Sequence, residues 1–400
     1  MNREELRTEW AVALMASVEI PDQDVGAFES MLGPSLNWGE VIYQCTIHRT
    51  LNMLTHNLRR LGLLKLCEKE LRKVLANEWA AAAERNRLYL DELDTLSSVL
   101  RADGVVMPVV KGLFLAHTVY PCVPCRTFND LDLLMDMSDV TKATRILERL
   151  GYVQGAYDDR SGIVVEATRM EKLIQQTVTH ELVEFQKQGA SPFLPVVEVD
   201  VNHDVVWKKG PYKIPMADLI GRAQLRHIGS VAAYCLDPAD SLIQLCCHLY
   251  KEATLLFWIT DLRDLKIYKF ADICLFLRSK ADNLDWASFV ERVRGYQIEK
   301  VVYFCMHHVE LMWGTAAPQW VMEGLRPSDL GFLDEYAIEN GSPLRWKASF
   351  FERLFDLKRV SELPALENME MRQFINAKLQ AGSAIPHRLR GETAKTLKEQ

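Results

Sequence analysis

Two aspartates one residue apart, Asp130 and Asp132, interrupt an apolar run, Asn129-Asp130-Leu131-Asp132-Leu133-Leu134-Met135. Aspartate is depleted in strands, so a pair of them inside a Leu/Met segment requires a reason. Side chains at i and i+2 share one face of a strand, about 6.5 Å apart along it. At that separation two carboxylates repel by about 2.5 kcal/mol for an effective dielectric of about 20. A divalent cation relieves that repulsion, and hard oxygen ligands are what Mg²⁺, or Mn²⁺ in its place, selects.

Upstream, the apolar run Val105 to Val110 reads as a strand that stops at Lys111-Gly112, and an amphipathic segment follows. A glycine between a strand-like and a helix-like run leaves free backbone N–H groups at a helix start, where a phosphate binds. Lys111 adds a positive charge at the same place. Downstream, in Phe193 to Trp207, Glu198, Asp200 and Asn202 alternate with Val197, Val199 and Val201. Such a strand buries a valine face and offers a carboxylate face, with either Asp200 or Glu198 as a third ligand beside Asp-x-Asp. A phosphate cradle followed by paired acidic strands is an arrangement that holds a metal-bound nucleoside triphosphate.

The elements that must position these groups follow from periodicity. Leu51, Leu54, Leu58, Leu61 and Leu64 recur at helical spacing, and long helical patterns continue to Leu100 before Asp103-Gly104 ends them. After Met135, Ser138 or Asp139 can cap a helix from Val140 to Leu150 that stops at Gly151. Residues 152–200 alternate enough to suggest further strands, among them Gly162 to Ala167 and Leu182 to Gln186. From Asp237-Pro238 the pattern is helical again. The expected organisation is a helical region at 1–103, an α/β core at 104–236, a helical region at 237–380 and a loose polar tail at 381–400. His203, His248 and the pair His307-His308 read as core histidines. Asp272 lies between Ala271 and Ile273 on an apolar helix and needs a partner, most simply a salt bridge.

Composition narrows the function. At 400 residues and 48% hydrophobic, the chain can bury a substantial core. A net charge of −7 argues against broad nucleic-acid binding, which needs a basic footprint. No apolar run is long enough to span a bilayer, and Lys111 breaks the best one. Nine scattered cysteines suit reduced thiols in a cytoplasm better than a disulfide framework. Cys122-x-x-Cys125 is a single pair without a second, so its spacing alone assigns it no zinc or redox role.

The ordered set VVKGLFLAHTVYP, CRTFNDLDLLM and a helix ending LERLGY resembles the uncharacterised bacterial nucleotidyltransferase-like family, within the polymerase-β-type nucleotidyltransferase superfamily. The resemblance spans roughly residues 40 to 315. It implies an α+β fold, a nucleotidyltransferase-type mixed β-sheet flanked by amino- and carboxyl-terminal helical bundles. It places Gly112 as the phosphate-loop glycine, Asp130 and Asp132 as the metal-binding pair and Asp200 as the third carboxylate, with Glu198 competing for that role. Lys111 and Arg126 are candidates for phosphate charge, although Arg126 could equally hold its loop by pairing with an aspartate. Leu113 stands where the superfamily often has a small residue, and Asn202 where the family more often has His. The implied activity is Mg²⁺-dependent transfer of a nucleoside monophosphate, AMP from ATP, to a hydroxyl of a small molecule, peptide or protein. The competing reading is an inactive descendant that binds nucleotide or a partner protein.

Overall fold

A computed structural model of the chain describes residues 3–357, except 159, 209, 316, 339 and 340, together with 359 and 363. The expected tail and the end of the carboxyl-terminal helical region, 364–380, lie outside them. The architecture is α+β, as the sequence implied: a mixed sheet flanked by helices.

Five strands form the sheet: β1 (Leu131–Leu134), β2 (Val153–Asp158), β3 (Ile163–Glu166), β4 (Phe185–Ser191) and β5 (Leu194–Asn202), in the order β1-β5-β4-β2-β3. β1 runs parallel to β5, and the other pairings are antiparallel. A hairpin of β6 (Gln224–Ile228) and β7 (Val231–Cys235) joins β1 through Val109, which bridges Leu133 on one side and Cys235 on the other. The run Val105 to Val110 is therefore an extended connector held by single bridges and not the full strand its composition suggested. Pro108 lacks the N–H a ladder needs, so its carbonyl alone is used, accepting from Leu134 N at 2.9 Å.

A second departure lies between β3 and β4. There a helix, Arg169–Val178, replaces the expected strand pattern. Thr168 and Glu171 close a capping box at its start. None of its residues is buried, so Met170, Leu173 and Ile174 stay exposed and its apolar spacing carried no core signal.

Among the described residues two large cores hold the molecule, beside a small cluster of Leu256, Ile259, Tyr336, Ala337 and Trp346. One face of the sheet (Leu131, Leu133, Val197, Val199, Val201) packs with Tyr89, Leu93, Leu96 and Leu100 of the 34-residue helix Lys69–Ala102. The earlier part of that helix contributes Leu75 to the other core, where it joins residues such as Leu54 and Val12 from the amino-terminal helices and Leu242, Phe270 and Phe304 from the carboxyl-terminal ones. The helical segments expected on either side of the sheet thus share one core. Leu134 belongs to that core, whereas its strand neighbours Leu131 and Leu133 belong to the sheet core. The face of β1 that carries Asp132 consequently looks toward the helical body.

Local signals explain the element ends. Gly104, at φ 65°, closes the long helix after Asp103, and Gly151, at φ 85°, ends the helix Val140–Arg149. Asp237 accepts from Ala239 N at 3.0 Å ahead of Pro238, starting the helix Pro238–Thr254. No helix among the described residues is long and apolar enough to cross a membrane.

Candidate active site

The Asp132 face of the sheet and the helical body border a cleft open to solvent. Lys111, Gly112, Arg126, Asp130, Asp132 and Asp200 all line it; Glu198 does not.

The parallel register places Asp132 directly beside Asp200, so the two carboxylates project from neighbouring strands on the same face. Glu198 lies two residues earlier on β5, opposite Gln186 of β4, whose Nε2 donates to Glu198 Oε1 at 3.1 Å. Asp130 precedes β1 and also borders the cleft.

Lys111 bridges this acidic strand pair to the glycine turn. Its ammonium forms an ion pair with Asp132, with 11% and 8% of the two side chains exposed. Burial opposes that charge, but Asp132 and then Asp200 outweigh it and hold the Lys111 pKa above the ordinary lysine range. The backbone of Lys111 has φ 53° and ψ −127°. Such a left-handed conformation in a non-glycine residue costs on the order of 1–3 kcal/mol and persists only where surroundings enforce it. Gly112, next in the chain, packs so closely on Phe128 that an added Cβ would lie 2.8 Å from the Phe128 Cβ. The glycine is needed for close approach and not for a special φ.

The carboxylates are held away from their ordinary titration range. Burial, opposed by Lys111 and reinforced by Asp130, brings Asp132 up to about 6. Burial and then the charges of Glu181 and Asp132 push Asp200 well upward. Burial with Glu184 and Asp130 raises Glu198 to about 8. Asp200 Oδ2 accepts from Asn202 Nδ2 at 3.0 Å, while its buried Oδ1 has no hydrogen-bond partner among the described residues.

An unsatisfied buried carboxylate oxygen beside a second carboxylate is costly in a protein alone. It suits an all-oxygen site for a hard divalent cation, which Asp130, Asp132 and Asp200 could hold. The three aspartates are not drawn tightly together, however. Among the described residues, the trio of ligand-type side chains with donor atoms all within 4.8 Å of one another is His56, Cys122 and Cys125. At Asp132 the positive charge is that of Lys111.

Arg126 borders the cleft, but its Nε and Nη2 are committed to Asp272 at 2.8 and 2.9 Å. Tyr120 Oη donates to the same aspartate at 2.7 Å. The buried acid of the apolar helix thus has its salt-bridge partner, and the guanidinium also lies 4.4 Å from the Tyr268 ring centroid.

Several lining residues had not been singled out from sequence: Arg49, His180, Glu181, Lys251, Trp258 and Arg263. Glu181 pairs with Asn202 at the end of β5, bringing it near Asp200. Lys251 contacts His180 Nε2, and burial followed by the Lys251 charge holds that histidine neutral, down to about 3. Burial and the charge of Lys111 bring Lys251 itself down to about 8. A signal for Lys251 existed: Lys251-Glu252 follows LIQLCCHLY, and charges inside an apolar helix need partners. His248, expected in the core, borders the cleft with Nε2 3.7 Å from Glu252 Oε1. His308 does sit in the core, its Nδ1 2.7 Å from the Phe304 carbonyl and its ring against Phe350.

Residues 34–314 match the family described as "Uncharacterised nucleotidyltransferase". The chain belongs to that family. The matched span contains both aspartate-bearing strands, the Lys111-Gly112 turn, the helix that supplies Lys251 and the connection that supplies Arg263. No curated protein matches the chain. Membership in a nucleotidyltransferase family implies a nucleotide substrate.

Proposed function

We propose that this nucleotidyltransferase-family chain is an active, Mg²⁺-dependent enzyme that uses this cleft to transfer AMP from ATP to a hydroxyl of a small molecule, peptide or protein, releasing pyrophosphate. The observation that carries the reading is the in-register pair Asp132 and Asp200 facing the same cleft as the Lys111-Gly112 turn.

A bound Mg²⁺ (or Mn²⁺) would be held by Asp130, Asp132 and Asp200 and would neutralise charge on the phosphates. The chain's own residues do the rest. The Lys111 ammonium, released from Asp132, and the cleft cations Lys251 and Arg263 bind the triphosphate. Lys251 gains most from an anion, because burial and a neighbouring cation have already weakened its hold on a proton. Asp200 in its ionised form takes the proton from the acceptor hydroxyl, and its burial raises its affinity for that proton. Arg126 orients the loop after Cys125 through Asp272 and keeps the wall next to Tyr268 in place.

The test uses the full chain with α-phosphate-labelled triphosphates, Mg²⁺ and lysate. Label on an acceptor, with pyrophosphate release that Asp132→Asn plus Asp200→Asn abolishes, supports the assignment. Metal-dependent nucleotide binding with no transfer from any of the four triphosphates would instead make the chain a binding module.

A further inference from the structure

One cluster of reactive side chains lies outside the catalytic proposal. Cys122-Val123-Pro124-Cys125 forms a single tight turn in which Cys125 N donates to Cys122 O at 3.0 Å. Two buried asparagines clamp it. Asn52 Nδ2 donates to Pro124 O at 3.0 Å, and Asn86 Nδ2 donates to Val123 O at 2.8 Å and Arg126 O at 3.0 Å. The clamped turn sets the two Sγ atoms 2.6 Å apart. His56, on the helix Leu51–Arg60, approaches Cys122 Sγ with Nδ1 at 3.5 Å, while Glu19 Oε2 stands 3.8 Å from its other ring nitrogen.

The two thiols differ in access. Cys125 is buried, whereas Cys122 is partly exposed. From this arrangement we propose that Cys122 and Cys125 are a redox-active dithiol, which a low-molecular-weight disulfide of the glutathione class converts to an intramolecular disulfide.

The chemistry follows the asymmetry of the pair. Hydrogen bonding from Cys125 and then from His56 brings Cys122 down to about 5, and the same contact pushes Cys125 far upward. Cys122 is therefore the attacking thiolate. It bonds to one sulfur of the small disulfide, whose S–S bond breaks and expels one thiolate. Cys125 then attacks Cys122 Sγ, breaking the mixed disulfide and expelling the second thiolate. The two protons lost by the cysteines end on the two expelled thiols. Two protein thiols are oxidised and one small disulfide is reduced.

The clamped backbone favours ring closure, because the entropy of bringing the sulfurs together is already spent in folding. Zinc is the alternative occupant of two cysteines and a histidine. The short sulfur separation and the unequal access of the two thiols favour the redox pair.

The experiment treats the reduced full chain with glutathione disulfide and maps the thiols by alkylation and peptide mass analysis. The expected result is loss of two of the nine thiols, recovered as a linked Cys122–Cys125 peptide. Cys125→Ser should stop at one glutathionyl group on Cys122, and Cys122→Ser should leave Cys125 unmodified. His56→Gln should raise the pH midpoint for iodoacetamide reaction at Cys122 by about one unit or more. The proposal is overturned if the pair stays reduced while other cysteines react, or if Cys122 reacts identically in His56→Gln. One zinc per chain that shields both thiols until chelated would overturn it as well. None of these readouts requires nucleotidyl transfer, so they stand or fall separately from the catalytic reading.

Discussion

Replacing Lys111 by Met tests whether its ammonium occupies charge space that a metal would otherwise fill. The substitution keeps an unbranched chain of similar length but deletes the partner of Asp132, with both groups about nine-tenths buried. Breaking a buried pair from one side costs about 3–5 kcal/mol. Asp132, already raised to about 6, can escape part of that by taking a proton. The expected loss is therefore at the lower end, about 3 kcal/mol. The strained backbone at φ 53° is untouched by this change and adds nothing to the difference.

The decisive measurement is thermal or urea unfolding at pH 7.5 with and without Mg²⁺. In the wild type the cation must first displace Lys111, whereas in Lys111→Met no ammonium stands beside Asp132. Each tenfold gain in Mg²⁺ affinity corresponds to about 1.4 kcal/mol, and saturation at about 100 times Kd adds about 2.7 kcal/mol of stability. The variant should thus melt below the wild type without Mg²⁺ and recover most of the gap with it. Equal stabilisation of both proteins by Mg²⁺, or no loss on removing Lys111, would refute the argument that the two cations compete for Asp132.

Two further outcomes follow from the same geometry. Gly112→Ala would set its Cβ 2.8 Å from the Phe128 Cβ, so Phe128 or the turn must move; an overpacking cost of about 1–3 kcal/mol in urea unfolding is expected, with weakened nucleotide binding by calorimetry. Lys251, with a folded pKa of about 8 against an ordinary 10.5, leaves the unfolded chain holding more protons than the folded one across that window, so stability should rise with pH from 8 to 10.5. Lys251→Met should remove that rise, gaining about 3 kcal/mol over the wild type at pH 7 and nothing above pH 10.5, as chemical unfolding across the range would report.

The fold class was legible because its signals are local. Leucine spacing, the Asp103-Gly104 stop and the Asp237-Pro238 start all act within a few residues; the last two mark observed helix ends, whereas the leucine-spaced helix stops at Arg60 because Gly62, at φ 69°, turns the chain before Leu64. What misled were segments whose fate depends on distant neighbours. Val105 to Val110 has strand composition, yet Pro108 limits its pairing to single bridges between β1 and β7. The helix Arg169–Val178 buries nothing, so periodicity gave no guide, and only the Thr168–Glu171 capping box could have revealed it.

The candidate site divides along the same line. Alternation along Phe193 to Trp207 can put Glu198 and Asp200 on one face, but nothing in one strand's sequence states its register against another. The parallel pairing sets Asp200, not Glu198, opposite Asp132, and that single offset decides which carboxyl shares the cleft. Arg49, from before the sheet, meets Lys251 and Arg263, from after it, only because the helices on the two sides fuse into one core. That fusion also gives the cleft its electrostatic character. The buried acids Asp132 and Asp200 on the sheet side face the buried Lys251 on the helical side, and burial is the first cause of the shift in each of the three. A ligand bearing both a divalent cation and phosphate anions relieves both sets at once, which neither a cation nor an anion alone can do.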